Sequence, residues 1–162
     1  MNASSPIRVG VLGCGHVGAP FVTLLTKQAD EIAARTGVRI EVTRVAVRNL
    51  SREREVSLPE GVLTRDAHDV VNDPNIDVVV ELIGGIEPAR ELIRTALSNG
   101  KPVITGNKEL LANVGAELYD VADAAGVDLL FEAAVAGGIP LVRALRESLR
   151  GEPIRRVLGI VN

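Results

Sequence analysis

Three glycines, Gly13, Gly15 and Gly18, stand in the spacing G-x-G-x-x-G within the run Ile7-Arg8-Val9-Gly10-Val11-Leu12-Gly13-Cys14-Gly15-His16-Val17-Gly18. A short β-branched apolar stretch enters this turn and an amphipathic pattern leaves it, so the turn joins a strand to a helix. Backbone N–H groups at such a junction, backed by the positive end of the helix, hold the pyrophosphate of a dinucleotide. Each glycine has its own task. Gly13 turns the chain sharply off the strand, Gly15 keeps a Cβ out of the diphosphate's place, and Gly18 lets the helix lie close to the sheet. Cys14, His16 and Val17 complete the expected cofactor-binding turn, His16 lying along the pyrophosphate and Cys14 acting as a small filler rather than a nucleophile. An ordinary glycine-rich turn is the other reading of the same residues.

The acid that usually grips the ribose after the second strand is absent, and Arg48 stands there instead. An aspartate would bind both ribose hydroxyls of NAD and repel an added phosphate, whereas a planar guanidinium accepts a 2′-phosphate. NADP is favoured on this ground without NAD being excluded. Arg52 and Arg54 could assist, although Glu53 and Glu55 interleave with them. Gly84 and Gly85 follow the fourth predicted strand, where backbone either passes close to the cofactor or simply turns into a helix. Glu81, inside that strand, reads as a satisfied structural acid. Lys108 falls in the first turn of a helix capped by Asn107, where the helix dipole disfavours a cation by roughly 0.3–1 kcal/mol. A lysine held against its local field at the carboxyl end of a sheet strand points to a ligand, unless it only meets water. Glu132 leads into a carbonyl-rich Gly-Gly loop, a set of hard oxygen donors for an alkali or alkaline-earth ion; a helix-start turn is the plainer alternative. His68 is expected on a helix surface.

These residues need a scaffold. Apolar spacing predicts a helix from Gly18 to about Arg35, stopped by Gly37, then an alternating strand over Arg39 to Val47 (Ile40, Val42, Val45, Val47). A charged loop follows to Glu60, with a short strand near Val62-Leu63-Thr64 and a helix from Asp66 to about Asn72. The run from Asp77 to Ile83 reads as a buried parallel strand. Beyond it come a helix from Pro88 to Ser98, a strand from Lys101 to Thr105, a helix from Asn107 toward Ala125, and a strand from Val127 to Phe131. Pro140 is expected to open a last helix with Val142, Leu145 and Leu149 on one face, and Ile154 to Asn162 a new strand. Strands alternating with helices in this rhythm predict a Rossmann-type α/β fold, a doubly wound parallel sheet of order 3-2-1-4-5-6 with its ligand crevice at the carboxyl ends.

At 162 residues, 46% hydrophobic and 24% charged, the chain suits one globular domain with a real core. A net charge of −3, with Phe21, Tyr119 and Phe131 as the only aromatics, leaves no basic footprint or stacking platform for nucleic acid. The single cysteine removes an intrachain disulfide and a cysteine-built zinc site. No apolar run approaches the roughly 20 residues of a membrane span, and the first six residues lack the layout of a signal peptide. The default expectation is a cytoplasmic protein with no nucleic-acid or membrane partner.

Taken together, Gly13 to Gly18, Glu81-Leu82-Ile83-Gly84-Gly85, Val103-Ile104-Thr105-Gly106-Asn107-Lys108-Glu109-Leu110-Leu111-Ala112 and Glu132-Ala133-Ala134-Val135-Ala136-Gly137-Gly138-Ile139-Pro140 resemble the amino-terminal domain of homoserine dehydrogenase. The resemblance runs from Ile7 to Asn162, and its last two segments are far more specific than the glycine turn. It implies NAD(P)-linked interconversion of L-homoserine and L-aspartate 4-semialdehyde, on the route to threonine and methionine. It also implies that Lys108 lies beside the nicotinamide and substrate as the catalytic-site lysine, with Asn107 on the cofactor face. A monovalent cation (Na+ or K+) site is implied at Glu132, Val135, Gly137 and Ile139, mostly through backbone oxygens. Residues 7–150 are then the nucleotide-binding domain, 1–6 a disordered start, and 151–162 the beginning of a substrate and dimerisation domain. The family's acid–base lysine and homoserine-binding acids belong to that later domain, as does its homo-oligomer contact. The chain alone is therefore expected to bind cofactor without turnover. Two other classes fit the residues: the nucleotide domain of a different NAD(P) dehydrogenase, and a non-catalytic NAD(P) sensor.

Overall fold

The computed structural model describes residues 5–54, 56 and 58–159. Strands β1 (Ile7–Leu12), β2 (Ile40–Ala46), β3 (Leu63–Thr64), β4 (Val78–Glu81), β5 (Val103–Thr105) and β6 (Leu129–Leu130) form one parallel sheet. Their order is β3-β2-β1-β4-β5-β6, as the alternating pattern predicts. Helices α1 (Gly18–Lys27), α2 (Ala29–Thr36), α3 (His68–Val71), α4 (Ala89–Ser98) and α5 (Lys108–Ala125) connect them. Val22 of α1 packs with Val9, Val11, Val45 and Val80 on one face. On the other, Val70 of α3, Ile93 of α4 and Leu118 of α5 pack with Leu12, Val79 and Val103. Burial on both faces explains why the central strands are nearly continuous apolar runs. On the face covered by α1, cover stops at β4: the register pair Ile104 and Leu130 stands exposed.

The predicted alternation of β2 contains a slip, because Val42 and Val45 are three residues apart. A bulge absorbs it. Val9 pairs with Val42 but Gly10 pairs with Arg44, leaving Thr43 as the extra residue. With that insertion, Ile40, Val42, Val45 and Val47 all join the core on the α1 side, while Ala46 turns to the opposite one.

Three expectations are corrected. The single helix from Gly18 to Arg35 is two helices broken at Gln28, whose backbone is at φ −103°, ψ 11°. Thr23 and Thr26 donate their hydroxyls to the carbonyls of Ala19 and Val22 four residues back, a contact that bends helices, and the break follows within a few residues. The helix from Pro140 shrinks to one π-helical turn, Ala144–Ser148, with no buried residue; a short helix that joins neither core cluster does not extend. Residues 154–159 form no strand, since no sheet edge pairs with them, and Ile154, Val157 and Leu158 are exposed. Of the expected final strand, residues 160–162 lie outside the described residues, as do residues 1–4 of the expected disordered start and Glu55 of the charged loop. Among the described residues no helix is long and apolar enough to cross a membrane.

At the amino edge of the sheet, Arg8 ties β1 to β4. Its backbone N–H and Nε donate to Asp77 Oδ2 at 2.7 and 3.0 Å, and Nη2 donates to Oδ1 at 2.8 Å. The guanidinium, then the backbone N–H, hold the Asp77 carboxyl down from 3.8 to about 2. A lowered native value means that the stabilisation is complete above the unfolded value and is lost as pH falls toward the native one. Asp77→Asn should therefore cost about 1 kcal/mol at neutral pH, discounted because the carboxylate is 39% exposed. Acid unfolding followed by circular dichroism should show that cost vanishing between pH 3.8 and about 2. A cost independent of pH would rule out the ion pair as its source.

Candidate functional site

The carboxyl ends of β1 and β4 lie side by side, Leu12 in register with Glu81, and the chain leaves them toward opposite faces. The crevice opens there. Gly13 takes φ +97°, and a Cβ on it would stand 2.8 Å from the Leu82 carbonyl oxygen. Gly15 faces open space, with no atom within 4 Å of where its Cβ would be. At Gly18 a Cβ would run into the Gly13 carbonyl, so this glycine is required by the turn itself more than by the sheet. Helix α1 begins without a side-chain cap and without an acid in its first turn. In its first turn Ala19 and Phe21 donate to the Gly15 and Val17 carbonyls and Pro20 has no N–H, so it is the partial positive charge of the helix start that is left to a ligand.

A cavity of about 230 Å³ lies against this turn, lined by Cys14, Gly15, His16, Arg52, Glu53 and Arg54, with Ala19 and Pro20 of α1. Arg48 is exposed just after β2 and is not on its wall. The loop thus brings Arg52 and Arg54 to the glycine turn directly. Arg54 is largely spent on the loop, donating to the carbonyls of Asn49, Leu50 and Arg52. Burial pushes the Cys14 thiol up, only partly offset by the Arg54 charge, which suits a filler and not a nucleophile. His16 is exposed and Val17 is 64% exposed beside it.

The β4 and β5 ends carry the second half of the site. Glu81 is wholly buried, and its Oε1 accepts the N–H groups of Ile83 and Gly84 at 2.7 and 3.1 Å. Its Oε2 accepts the Thr105 hydroxyl. Gly84 and Gly85 take φ +82° and +74°, which reserves both positions for glycine. Asn107 caps α5 as predicted, its Oδ1 accepting the Leu110 N–H at 3.1 Å, while its Nδ2 donates to the Gly85 carbonyl at 2.6 Å. Its side chain is committed to protein contacts. Lys108 opens α5 and is exposed.

Glu132 works as a cap. Its two carboxylate oxygens accept the N–H groups of Val142 and Arg143 at 2.9 and 2.7 Å. The Val135 and Ile139 carbonyls accept from Gly138 and Leu141, and Gly137 takes φ +65°. A carboxylate or carbonyl oxygen keeps a second lone pair after one such bond.

A family model described as the NAD binding domain of homoserine dehydrogenase matches residues 13–132. The chain belongs to the homoserine dehydrogenase NAD-binding family. A homoserine dehydrogenase of Bacillus subtilis is 44% identical over 156 residues, covering 96% of this chain and 36% of that protein. One from Corynebacterium glutamicum is 49% identical over 158 residues, covering 98% and 35%. The crystal structure of a homoserine dehydrogenase from Thiobacillus denitrificans superposes with a TM-score of 0.80 at 53% identity, covering 91% of this chain and 34% of that one. The chain thus spans about a third of the length of its homoserine dehydrogenase relatives. Glu81 is the satisfied structural acid that its place in the strand predicts, and Thr105, its partner on β5, is the site residue that no motif marks. The available signal was a carboxylate at the end of an otherwise apolar strand, which must find donors nearby.

Gly15→Ala and Gly18→Ala should separate binding from folding. The first adds a Cβ to empty space, so thermal stability should hold while NADPH affinity falls about tenfold or more. The second should lower stability by about 1–3 kcal/mol through overpacking. A Gly15→Ala variant that binds NADPH normally in a fluorescence titration would remove the diphosphate from this turn.

Proposed function

We propose that this chain is the cofactor-holding part of a homoserine dehydrogenase that interconverts L-homoserine and L-aspartate 4-semialdehyde with NADP in preference to NAD. The observation that carries the reading is the open space before Gly15 at the uncapped head of α1. The diphosphate would take the glycine turn at the positive head of α1, Arg48 with Arg52 the 2′-phosphate, and the β4 and β5 exits the nicotinamide half. The nicotinamide, when bound, supplies the hydride acceptor for alcohol oxidation. Lys108 would present its ammonium to the nicotinamide and substrate side of the crevice. Residues 7–150 would form the nucleotide-binding unit, with 151–162 leading to a substrate and dimerisation domain. Its acid–base group would take the hydroxyl proton.

NADPH and NADH titrations of the wild type and Arg48→Ala test the preference. NADPH alone should weaken, by roughly ten- to a hundredfold for a charge-assisted hydrogen bond. Equal loss for both would remove Arg48 from the phosphate. The purified chain should bind NADPH and give no homoserine oxidation, and measurable turnover would overturn the division of labour.

A monovalent cation at Glu132, Val135, Gly137 and Ile139 is the second part of the proposal. Thermal melts in NaCl, KCl and choline chloride at equal ionic strength should show a specific rise with one alkali ion, absent in Glu132→Gln. Identical melts in all three salts would leave Glu132 with capping alone.

A further inference from the structure

Glu81 breaks the rule of its own strand. It follows Val78-Val79-Val80, is fully buried, and its carboxylate is satisfied by backbone N–H groups and a hydroxyl instead of a lysine or arginine. An ionised group taken from water is costly, and an apolar residue of similar size would serve packing better. What the acid contributes is connection. Oε1 gathers the two N–H groups that begin the left-handed Gly84-Gly85 turn, and Oε2 takes the Thr105 hydroxyl across to β5. The same Thr105 oxygen accepts the Asn107 N–H at 3.0 Å, and the Asn107 side chain returns to the Gly85 carbonyl. Backbone closes the ring, since the Gly106 N–H donates to the Glu81 carbonyl at 3.3 Å. Lys108 is the next residue along.

We propose that Glu81, acting through Thr105 and Asn107, is a positioning residue that locks the β4 and β5 exits into one floor for the nicotinamide half of the cofactor and fixes where Lys108 begins α5. This rests on the dinucleotide reading above and adds the relay beneath it. Both halves of the crevice are then set independently. The adenosine half depends on the α1 turn and the arginine loop, and the nicotinamide half depends on this relay. Neither Glu81 nor Thr105 need touch the cofactor, because both are buried beneath the exits.

The test compares NADPH with 2′,5′-ADP, which carries the adenosine half and its 2′-phosphate but no nicotinamide. Thr105→Val keeps the shape and removes the hydroxyl; Thr105→Ser keeps the hydroxyl. With the complete chain, Thr105→Val should weaken NADPH by roughly tenfold while 2′,5′-ADP stays within about twofold, and Thr105→Ser should restore wild-type binding of both. Should Thr105→Val fail to fold, Glu81→Gln carries the same comparison, since its amide still accepts from Ile83 and Gly84 but cannot take the Thr105 proton. Equal weakening of both ligands marks a merely structural role and overturns the proposal, as does unchanged NADPH binding. If the wild type binds 2′,5′-ADP and NADPH equally, the nicotinamide half has no floor and the relay is wrong while nucleotide binding stands. If the wild type binds neither, the dinucleotide reading itself fails and the relay falls with it.

Discussion

The constraint beneath everything else is topological: β1 and β4 are neighbours whose chains depart to opposite faces of the sheet. No connection crosses the gap between their carboxyl ends, so an opening exists there before any side chain is chosen. The glycine turn lies on one bank and the Gly84-Gly85 turn on the other. The packing away from that line serves to hold the two strand ends at one height. Arg8 and Asp77 do the same from the far edge, joining the starts of the same two strands.

Two helices begin on this edge with opposite electrostatics. Helix α1 starts bare, with no capping side chain and no acid, which leaves its dipole to an incoming anion. Helix α5 starts closed, capped by Asn107 and followed by Glu109, with the Lys108 charge laid over it. One start attracts an anion, and the other holds a fixed cation over amides that are already capped. The sheet presents them together because β1 and β5 flank the same strand, β4.

Much of this was legible in the chain. Strand order followed from the alternation of short apolar runs with helical patterns, and the glycine turn from its spacing between them. The Asn107 cap followed from residue type and position. What escaped was long-range. The bulge at Thr43 showed only as a three-residue step in an alternating run, and the break at Gln28 arises from threonine back-bonding that apolar spacing does not register. Membership of the Glu81 relay depends on two strands being adjacent, which pattern along one strand does not encode. The segment after Pro140 misled for a different reason. Its apolar residues keep helical spacing, yet Val142, Leu145 and Leu149 join neither core cluster, and the Glu132 cap alone does not sustain a longer helix.

Both outermost strands of the sheet are two residues long, Leu63–Thr64 at one rim and Leu129–Leu130 at the other. A rim that short offers hardly any unpaired backbone for a foreign strand to zip onto, which protects the molecule against edge-to-edge aggregation. Lengthening the sheet at either rim thus has little backbone to build on, and what the β6 side presents to its surroundings is side chain, Ile104 and Leu130 among it.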